Sequence, residues 1–462
     1  MRPLEISIAI LLTVYLLWRH PRPLWIRFFP AITLVITLTH FVTEGYRWQM
    51  VPLYSLASLL GLSALIKIRS SADWKPLTSH VILVLLAVST ALPFILPVPS
   101  IPAPDGPYQV GTSLFELTDS ARQELYSGKD EARRFQIQVW YPAEPDPGDG
   151  RAPWMNRAEV FGPAIATYIE MPSFFLDHLA LVNLPAYRDS KVAATEEGFP
   201  IVLFSHGWNG FNAQNSGQAL QLASHGYVVV GVQHTYGAVV TVFEDGTIAE
   251  NNPSALPIGA PDEEYDQAAH RLADQWATDM AFALDFLETK KDDPGSRFFS
   301  RLDLSRVGVY GHSTGGGAAI QFCGTDDRCK AVLGQDPFMR PVSVEVLENG
   351  LTQPAFYMFS QRWADDADSL NNRQFDEFYA NSSEPLGAVY IEGTAHYDFS
   401  DLPLLSPLTP QLGLKGPING KRVTAIINDY LLSFFDASLK VKSSELFEPE
   451  NQKYDEVIFT HQ

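Results

Sequence analysis

Residues 307–318 read Val-Gly-Val-Tyr-Gly-His-Ser-Thr-Gly-Gly-Gly-Ala. The apolar, β-branched start predicts a buried strand, and the stretch that begins at Ala318 predicts a helix. Between them, Gly311, Ser313 and Gly315 form a Gly-x-Ser-x-Gly motif, which in a strand–turn–helix context is typical of a nucleophile elbow. Such a turn holds its serine in a strained conformation with the hydroxyl exposed, and the glycines leave room for close backbone packing. The sequence therefore indicates Ser313 as a catalytic nucleophile.

Strand and helix patterns alternate on both sides of this motif. Short β-branched runs predict seven strands, at residues 135–141, 201–205, 227–232, 307–310, 331–333, 355–359 and 388–391. Apolar residues at helical spacing predict helices over about 266–290 and 424–439, and residues 237–262 are predicted to form a long loop. Strands that alternate with helices favour a mostly parallel sheet covered on both faces, which together with the elbow predicts an α/β-hydrolase fold.

The general base follows from elimination. A serine nucleophile needs an imidazole to take its proton, and hydrolases of this fold order the triad as serine, acid and histidine along the chain. Two histidines follow Ser313, and one of them, His461, is the penultimate residue in a tail that is expected to fray. His396 lies in a loop directly after a predicted strand, so it is the candidate base.

The triad acid has two possible positions on the residues alone. Asp336 follows the first strand after the elbow. Three further aspartates follow the next strand, the commoner position in this fold: Asp365, Asp366 and Asp368. Geometry does not decide between the two positions.

The oxyanion hole is predicted upstream of the elbow. The strand at 201–205 ends in His206-Gly-Trp208, at the place where this fold supplies one of the two backbone N–H groups that bind a tetrahedral oxyanion. We expect that N–H to come from Trp208, and the other from Thr314, the residue after the nucleophile. His206 itself is interpreted as a structural histidine that fixes the loop.

Five segments in chain order resemble the platelet-activating-factor acetylhydrolase family of α/β-hydrolases, including its plasma and intracellular type II members. They lie at residues 204–210, 222–234, 311–317, 327–339 and 396–401, and the likeness covers most of residues 105–455. The resemblance implies that Asp336 is the acid, and that the substrates are phospholipid-like esters with short or oxidised acyl groups. Gln335 and Pro337 replace the usual apolar neighbours of the acid, and Thr314 stands where a phenylalanine is frequent.

Composition excludes several classes of protein. The net charge of −20 argues against nucleic-acid binding, which needs a positive surface. Two cysteines, Cys323 and Cys329, are too few for a disulfide scaffold or a Cys-rich metal site, but they could form one local disulfide or remain free thiols. We expect no cofactor and no metal.

The first hundred residues differ from the rest. They carry eight basic and three acidic side chains, against 25 basic and 50 acidic beyond them. Four apolar runs, at about 6–18, 28–42, 50–66 and 81–98, predict a helical membrane domain over residues 1–98. The proline-rich segment 99–104 is predicted to be a stiff linker, with the catalytic domain at 105–462.

Loop charges predict the orientation of these four helices. Six basic residues lie in the loops after the first and third runs: Arg19, Arg22, Arg27, Lys67, Arg69 and Lys75. Only Arg2 and Arg47 lie on the opposite side. Because basic loops stay in the cytoplasm, we expect a multi-pass membrane protein with an extracytoplasmic catalytic domain, periplasmic or extracellular.

Function is predicted as that of a serine ester hydrolase that forms an acyl-enzyme on Ser313. A general carboxylesterase and a polyester or cutin-type hydrolase are alternatives among enzymes, and an acyltransferase would use the same intermediate. An alternative of another class is a catalytically silent membrane receptor or scaffold. Covalent labelling by a fluorophosphonate distinguishes this last case, because the reagent requires an activated serine. The oligomeric state stays open.

Overall fold

The computed structural model describes residues 1–18, 23–67, 76–448 and 453–461. Most of the described strands join one 11-stranded sheet, in the order β13-β12-β11-β10-β9-β5-β6-β2-β1-β4-β3, and β7 and β8 pair separately. The strands are β1 Gln109–Gln123, β2 Ala132–Ala143, β3 Arg151–Pro153, β4 Asn183–Arg188, β5 Phe199–Ser205, β6 Val228–Gln233, β7 Val240–Val242, β8 Ile248–Glu250, β9 Leu302–His312, β10 Cys329–Gln335, β11 Ala355–Ser360, β12 Pro385–Ile391 and β13 Val457–His461. The six central strands, β6-β5-β9-β10-β11-β12, are parallel. This mostly parallel sheet with helices is consistent with the predicted α/β-hydrolase fold.

Helices cover both faces of the sheet. They are α1 Pro3–Leu17, α2 Leu24–Arg27, α3 Phe29–Thr43, α4 Val51–Lys67, α5 Pro76–Ile95, α6 Ala158–Tyr168, α7 Ser216–Ser224, α8 Asp262–Asp292, α9 Thr314–Thr325, α10 Val344–Asn349, α11 Gln361–Ala364, α12 Leu370–Asn381 and α13 Gly420–Lys440. Successive residues of β5 alternate between two cores: Ile201 joins the core under α8 and α9, and Val202 the core under α7 and α13. Burial on both faces explains why β5 is apolar throughout.

The predicted elements are present and mostly longer than expected. Six of the seven predicted strands lie within an observed one, and the seventh, at 227–232, begins one residue before β6. The two predicted helices are α8 and α13. The segment predicted to be a long loop, residues 237–262, also contains the short antiparallel pair β7 and β8. The predicted division at 99–104 stays a prediction; residues 97–104 form neither helix nor strand.

The four N-terminal apolar runs form helices, but the predicted transmembrane segment is not supported. Among the described residues, no helix combines the length and the apolarity that crossing a bilayer requires. α1 and α3 have 15 residues each and α4 has 17. At about 1.5 Å per residue these three helices are shorter than the roughly 30 Å hydrocarbon layer. The prediction of a multi-pass membrane protein with an extracytoplasmic catalytic domain is therefore wrong. Its loop residues Arg19, Arg22, Arg69 and Lys75 lie outside the described residues.

A buried ion pair lies among these helices. Arg47 donates to both carboxylate oxygens of Glu5 at 2.7 Å, and neither side chain is accessible to solvent. Burial by itself would raise the pKa of Glu5, but hydrogen bonds from His40 and Arg47 lower it below its ordinary value. Isolated buried charges are costly, so the pair fixes how the helices pack.

The N-terminal helices also contact the rest of the chain. Trp48 Nε1 donates to the carbonyl oxygen of Phe175 at 3.1 Å, and Gln49 Nε2 lies 2.7 Å from His178 Nδ1. Both partners belong to the 3-10 helix Ser173–Leu181, which follows α6. The helical segment therefore packs on the insertion between β3 and β4.

The two cysteines are bonded to each other. Cys323 and Cys329 form a disulfide with their Cα atoms 5.1 Å apart. Cys323 lies near the end of α9 and Cys329 begins β10. The bond therefore closes the tight connection between the helix that follows Ser313 and the strand that leads to Asp336.

Candidate active site

The serine turn joins β9 to α9. Ser313 has φ 57° and ψ −125°, a strained conformation for a residue with a side chain. A Cβ on Gly311 would overlap the carbonyl oxygen of Gly315, and a Cβ on Gly315 would overlap that of Ser205, so both positions require glycine. The backbone N–H of Ser313 donates to the carbonyl oxygen of Gln335 at 2.9 Å, which secures the turn to the end of β10. The Ser313 side chain is half-buried, and its hydroxyl makes no hydrogen bond to any described residue.

Asp336 and His396 come together at the adjacent strand ends. His396 Nδ1 lies 2.9 Å from Asp336 Oδ2. Asp336 is inaccessible to solvent and also accepts two hydrogen bonds of 2.7 Å from Ser360, one from the backbone N–H and one from the hydroxyl. Asp336 also has a positive φ of 42°, so the backbone is strained at this position as well as at the serine.

The other candidate aspartates lie elsewhere. Asp365, Asp366 and Asp368 are exposed around the end of α11, and none of them hydrogen-bonds to His396 among the described residues. His461 lies in β13, and its Nε2 is 3.2 Å from Asp376 Oδ1, far from the elbow in the sheet order.

Two aromatic rings, those of Trp363 and His312, flank the imidazole of His396. The Trp363 ring stacks on it with a centroid separation of 4.7 Å and an interplanar angle of 24°. On the serine turn, His312 Nδ1 accepts from Gln214 Nε2 at 3.1 Å, which places the remaining proton on Nε2. That nitrogen donates to the carbonyl oxygen of His396 at 2.9 Å. Burial and the proximity of His396 lower the pKa of His312 well below its ordinary range, so its imidazole stays neutral.

The loop after β5 passes beside the serine. A Cβ on Gly207 would lie 3.2 Å from the Cβ of Ser313, so this backbone approaches the nucleophile closely. The backbone N–H groups of Trp208 and Thr314 donate to no described residue. Free amides next to a serine are what oxyanion binding requires. His206 is buried; its Nδ1 lies 2.7 Å from the carbonyl oxygen of Gly207, and its Nε2 accepts from the backbone of His234 at 3.2 Å.

The family model "Platelet-activating factor acetylhydrolase, isoform II" matches residues 97–458. The chain belongs to this family. Platelet-activating factor acetylhydrolase from Cavia porcellus is 28% identical over 359 residues, which cover 74% of this chain and 78% of the relative. A protein from Arthroderma benhamiae named "Probable 1-alkyl-2-acetylglycerophosphocholine esterase" is 26% identical over 413 residues, covering 82% of this chain and 97% of that protein.

A solved structure supports the fold. A ferulic acid esterase from Streptomyces cinnamoneus superposes with a TM-score of 0.65 at 24% sequence identity, over 79% of this chain and 99% of the esterase. The predicted membership of the platelet-activating-factor acetylhydrolase family is confirmed, and so is the predicted function at that level. The chain is a serine ester hydrolase related to the platelet-activating factor acetylhydrolases.

Sequence reasoning missed another serine–histidine–aspartate arrangement, which lies at the end of β5. Ser205 Oγ lies 3.0 Å from His234 Nε2, and His234 Nδ1 lies 3.1 Å from Asp279. Arg133 donates to the same carboxylate at 2.6 Å. All four side chains are inaccessible to solvent, so Ser205 cannot reach a substrate. The network anchors the end of β5, where the loop that contains Trp208 begins. The signal in the sequence was Asp279 on the apolar face of α8.

One group of side chains has the composition of a metal site. Potential ligand atoms of Glu5, His40 and Glu44 lie within 4.8 Å of one another. However, the Arg47 guanidinium pairs with Glu5, and the Arg2 guanidinium lies 2.9 Å from Glu5 and 3.7 Å from Glu44. The carboxylates already have cationic partners, and a divalent ion would be repelled by the two guanidinium groups. The group is therefore interpreted as an ion-pair cluster.

Four buried imidazoles among the described residues predict that acid destabilises the fold. Burial lowers the pKa of His206 to about 3 and that of His178 to about 4, and it also lowers those of His234 and His312. In the unfolded chain each titrates near 6.5, so below that pH the unfolded state binds more protons than the native state. Stability is then fully present above pH 6.5 and falls toward pH 5, by roughly 1 kcal/mol per imidazole per pH unit. Burial raises the pKa of Asp401 to about 7, which opposes part of this effect.

Urea unfolding at pH 7, 6 and 5 measures this dependence. The slope of unfolding free energy against pH is proportional to the number of protons taken up on unfolding. We expect His206→Gln to reduce that number by about one at pH 5. A wild-type free energy that is constant over this range, or a slope that His206→Gln does not alter, would contradict the prediction.

Proposed function

We propose that Ser313 is the nucleophile of an ester hydrolase, with His396 as its general base and Asp336 as the acid that orients the imidazole. Ser313 attacks the ester carbonyl while His396 takes its proton. The N–H groups of Trp208 and Thr314 bind the oxyanion, and His396 then protonates the leaving alcohol. Water hydrolyses the resulting acyl-enzyme by the reverse path. The observation that carries the proposal is the 2.9 Å contact between His396 Nδ1 and the buried Asp336 carboxylate, next to a strained serine turn.

The proposed substrates are phospholipid-like esters with short or oxidised acyl chains. The names of the related proteins support this class, since they include platelet-activating factor acetylhydrolase and 1-alkyl-2-acetylglycerophosphocholine esterase. Family membership over residues 97–458 extends across every residue of the proposed site.

Covalent labelling of the purified chain with a fluorophosphonate tests the activated serine. We expect one stoichiometric adduct, located on Ser313 by peptide mass spectrometry and lost in Ser313→Ala. Ser383, which is exposed, supplies the matched control: Ser383→Ala should label like the wild type. Absence of labelling in the wild type would favour a catalytically silent ligand-binding protein, and labelling at another serine would move the nucleophile.

A further inference from the structure

A cavity of about 320 Å³ opens beside His396. It lies between the loop that follows β11 and the loop that follows β12. Its lining includes His396, Tyr397, Trp363, Arg362 and Asp366. The same Trp363 ring stacks on the His396 imidazole. Any group that occupies this cavity is therefore in direct contact with the residues that hold the proposed general base.

The chemistry of the proposed reaction indicates which part of the substrate this cavity receives. In breakdown of the tetrahedral intermediate, His396 donates a proton to the oxygen of the leaving alcohol. The leaving alcohol must therefore lie next to the imidazole. Because the imidazole itself lines the cavity, the cavity lies on the leaving-group side of the ester. This step rests on the proposed function.

The charged groups of the cavity are available for a ligand. The Arg362 guanidinium is exposed and has no hydrogen-bond or ion-pair partner among the described residues. Nearby arginines differ: Arg340 pairs with Asp262 and Asp266, and Arg373 donates to the carbonyl oxygen of Asp368. The planar fork of an unpaired guanidinium suits a pair of phosphate oxygens.

The cavity also presents a negative charge. The Asp366 carboxylate is exposed and forms no ion pair with a described residue, and it lines the cavity together with the Trp363 ring. A carboxylate beside an indole suits a quaternary ammonium group, through charge attraction and cation–π contact. One wall thus carries complementary partners for both charges of a zwitterion.

We infer that this cavity binds the zwitterionic phosphodiester head group of the leaving alcohol, with Arg362 on the phosphate and with Asp366 and Trp363 on the ammonium group. These residues then determine specificity for the leaving group, and they take no part in bond making. The cavity selects a phosphocholine-type alcohol over an uncharged one, and over a phosphate monoester, whose second negative charge Asp366 would repel.

The test is a selectivity ratio. Values of kcat/KM are measured for a short-chain 1-alkyl-2-acetylglycerophosphocholine and for its uncharged 1-alkyl-2-acetylglycerol analogue. Both esters are kept below the concentration at which they aggregate. The selectivity ratio is kcat/KM for the phosphocholine ester divided by kcat/KM for the uncharged ester. We expect the wild type to prefer the phosphocholine ester. Arg362→Gln should reduce the ratio roughly 10- to 100-fold, the usual cost of losing a charged hydrogen bond. Arg373→Gln, an exposed arginine outside the cavity, should retain the wild-type ratio.

Several outcomes would overturn the inference. These are a wild type without preference, an unchanged ratio in Arg362→Gln, or an equal loss on both esters, which would indicate a structural role. Failure of the proposed function has a separate signature, because Ser313→Ala would then retain turnover of both esters whatever the ratio in Arg362→Gln.

Discussion

Replacement of Ser313 by alanine is expected to reduce kcat for ester hydrolysis by a factor on the order of 10⁶, the loss observed when a serine protease loses its nucleophile. No acyl-enzyme can form without the hydroxyl, so only oxyanion stabilisation and binding remain. The fold should be unaffected, because the hydroxyl makes no hydrogen bond to a described residue. The strained backbone at φ 57° is as accessible to alanine as to serine.

Initial rates with p-nitrophenyl acetate measure this loss, after correction for spontaneous hydrolysis. Thermal unfolding followed by circular dichroism gives the accompanying stability, and we expect it to change by less than about 0.5 kcal/mol. Ser383→Ala is the matched control, with wild-type rates expected. A Ser313→Ala variant that keeps several per cent of wild-type turnover while folded would show that another residue is the nucleophile.

The elbow could be predicted because its requirements are local. Backbone strain at Ser313 and the absence of a Cβ at Gly311 and Gly315 are properties of a few consecutive residues, so a short motif with a strand before it and a helix after it carries the information. His396 could be predicted as the base because hydrolases of this fold place the histidine after the serine and the acid along the chain. The predicted roles of Asp336 and His396 remain proposals, but the structure does bring the two side chains together.

The acid could not be chosen from the residues alone, since β10 and β11 are neighbouring parallel strands whose carboxyl ends meet at one edge. Both candidate positions are therefore close to His396 in principle. In the structure, Ser360 ends β11 and donates two hydrogen bonds to Asp336. Ser360, at the end of the strand that more commonly carries the acid, therefore supports Asp336 on the neighbouring strand. In the sequence, only the family resemblance favoured Asp336.

The missed strands are polar or peripheral. β1 alternates buried residues with exposed ones only in part and carries Glu116, Asp119 and Arg122, so its periodicity is weak. β3 and β4 lie at one edge of the sheet and β13 at the other. Edge strands bury less surface than central ones, and their pairing depends on partners far away in sequence. Such contacts leave little signal in a short window.

The N-terminal prediction failed for a different reason. Hydropathy correctly located the four helices but does not distinguish burial in protein from burial in lipid. Leu12 and Leu53 are packed inside the helical segment, whereas Val35 and Val42 are exposed. The clue against a membrane domain was Glu5, a carboxylate that directly precedes the first apolar run and pairs with Arg47 about forty residues away. A pairing at that separation is visible only in three dimensions.

The second prediction with a large effect concerns the acid. Asp336→Asn should reduce kcat by about 10⁴, because an asparagine amide donates toward His396 Nδ1 and stabilises the imidazole tautomer that cannot accept the Ser313 proton. The variant should still fold, since the carbonyl oxygen of asparagine can accept from Ser360. Asp365→Asn and Asp368→Asn are the matched controls: both aspartates are exposed and outside the cavity lining, so their kcat should stay within about twofold of wild type.

Saturating initial rates with p-nitrophenyl acetate compare the three variants, and Asp336→Glu adds a diagnostic fourth. A glutamate keeps the charge but moves it by one methylene. The Asp336 carboxylate is held by two hydrogen bonds of 2.7 Å from Ser360 and by the 2.9 Å contact with His396. If Asp336 orients the imidazole, Asp336→Glu should recover part of the activity that Asp336→Asn loses. If burial alone mattered, the larger side chain would be worse than the isosteric amide. Near-wild-type turnover in Asp336→Asn, together with a large loss in Asp365→Asn or Asp368→Asn, would move the acid to the strand after β10.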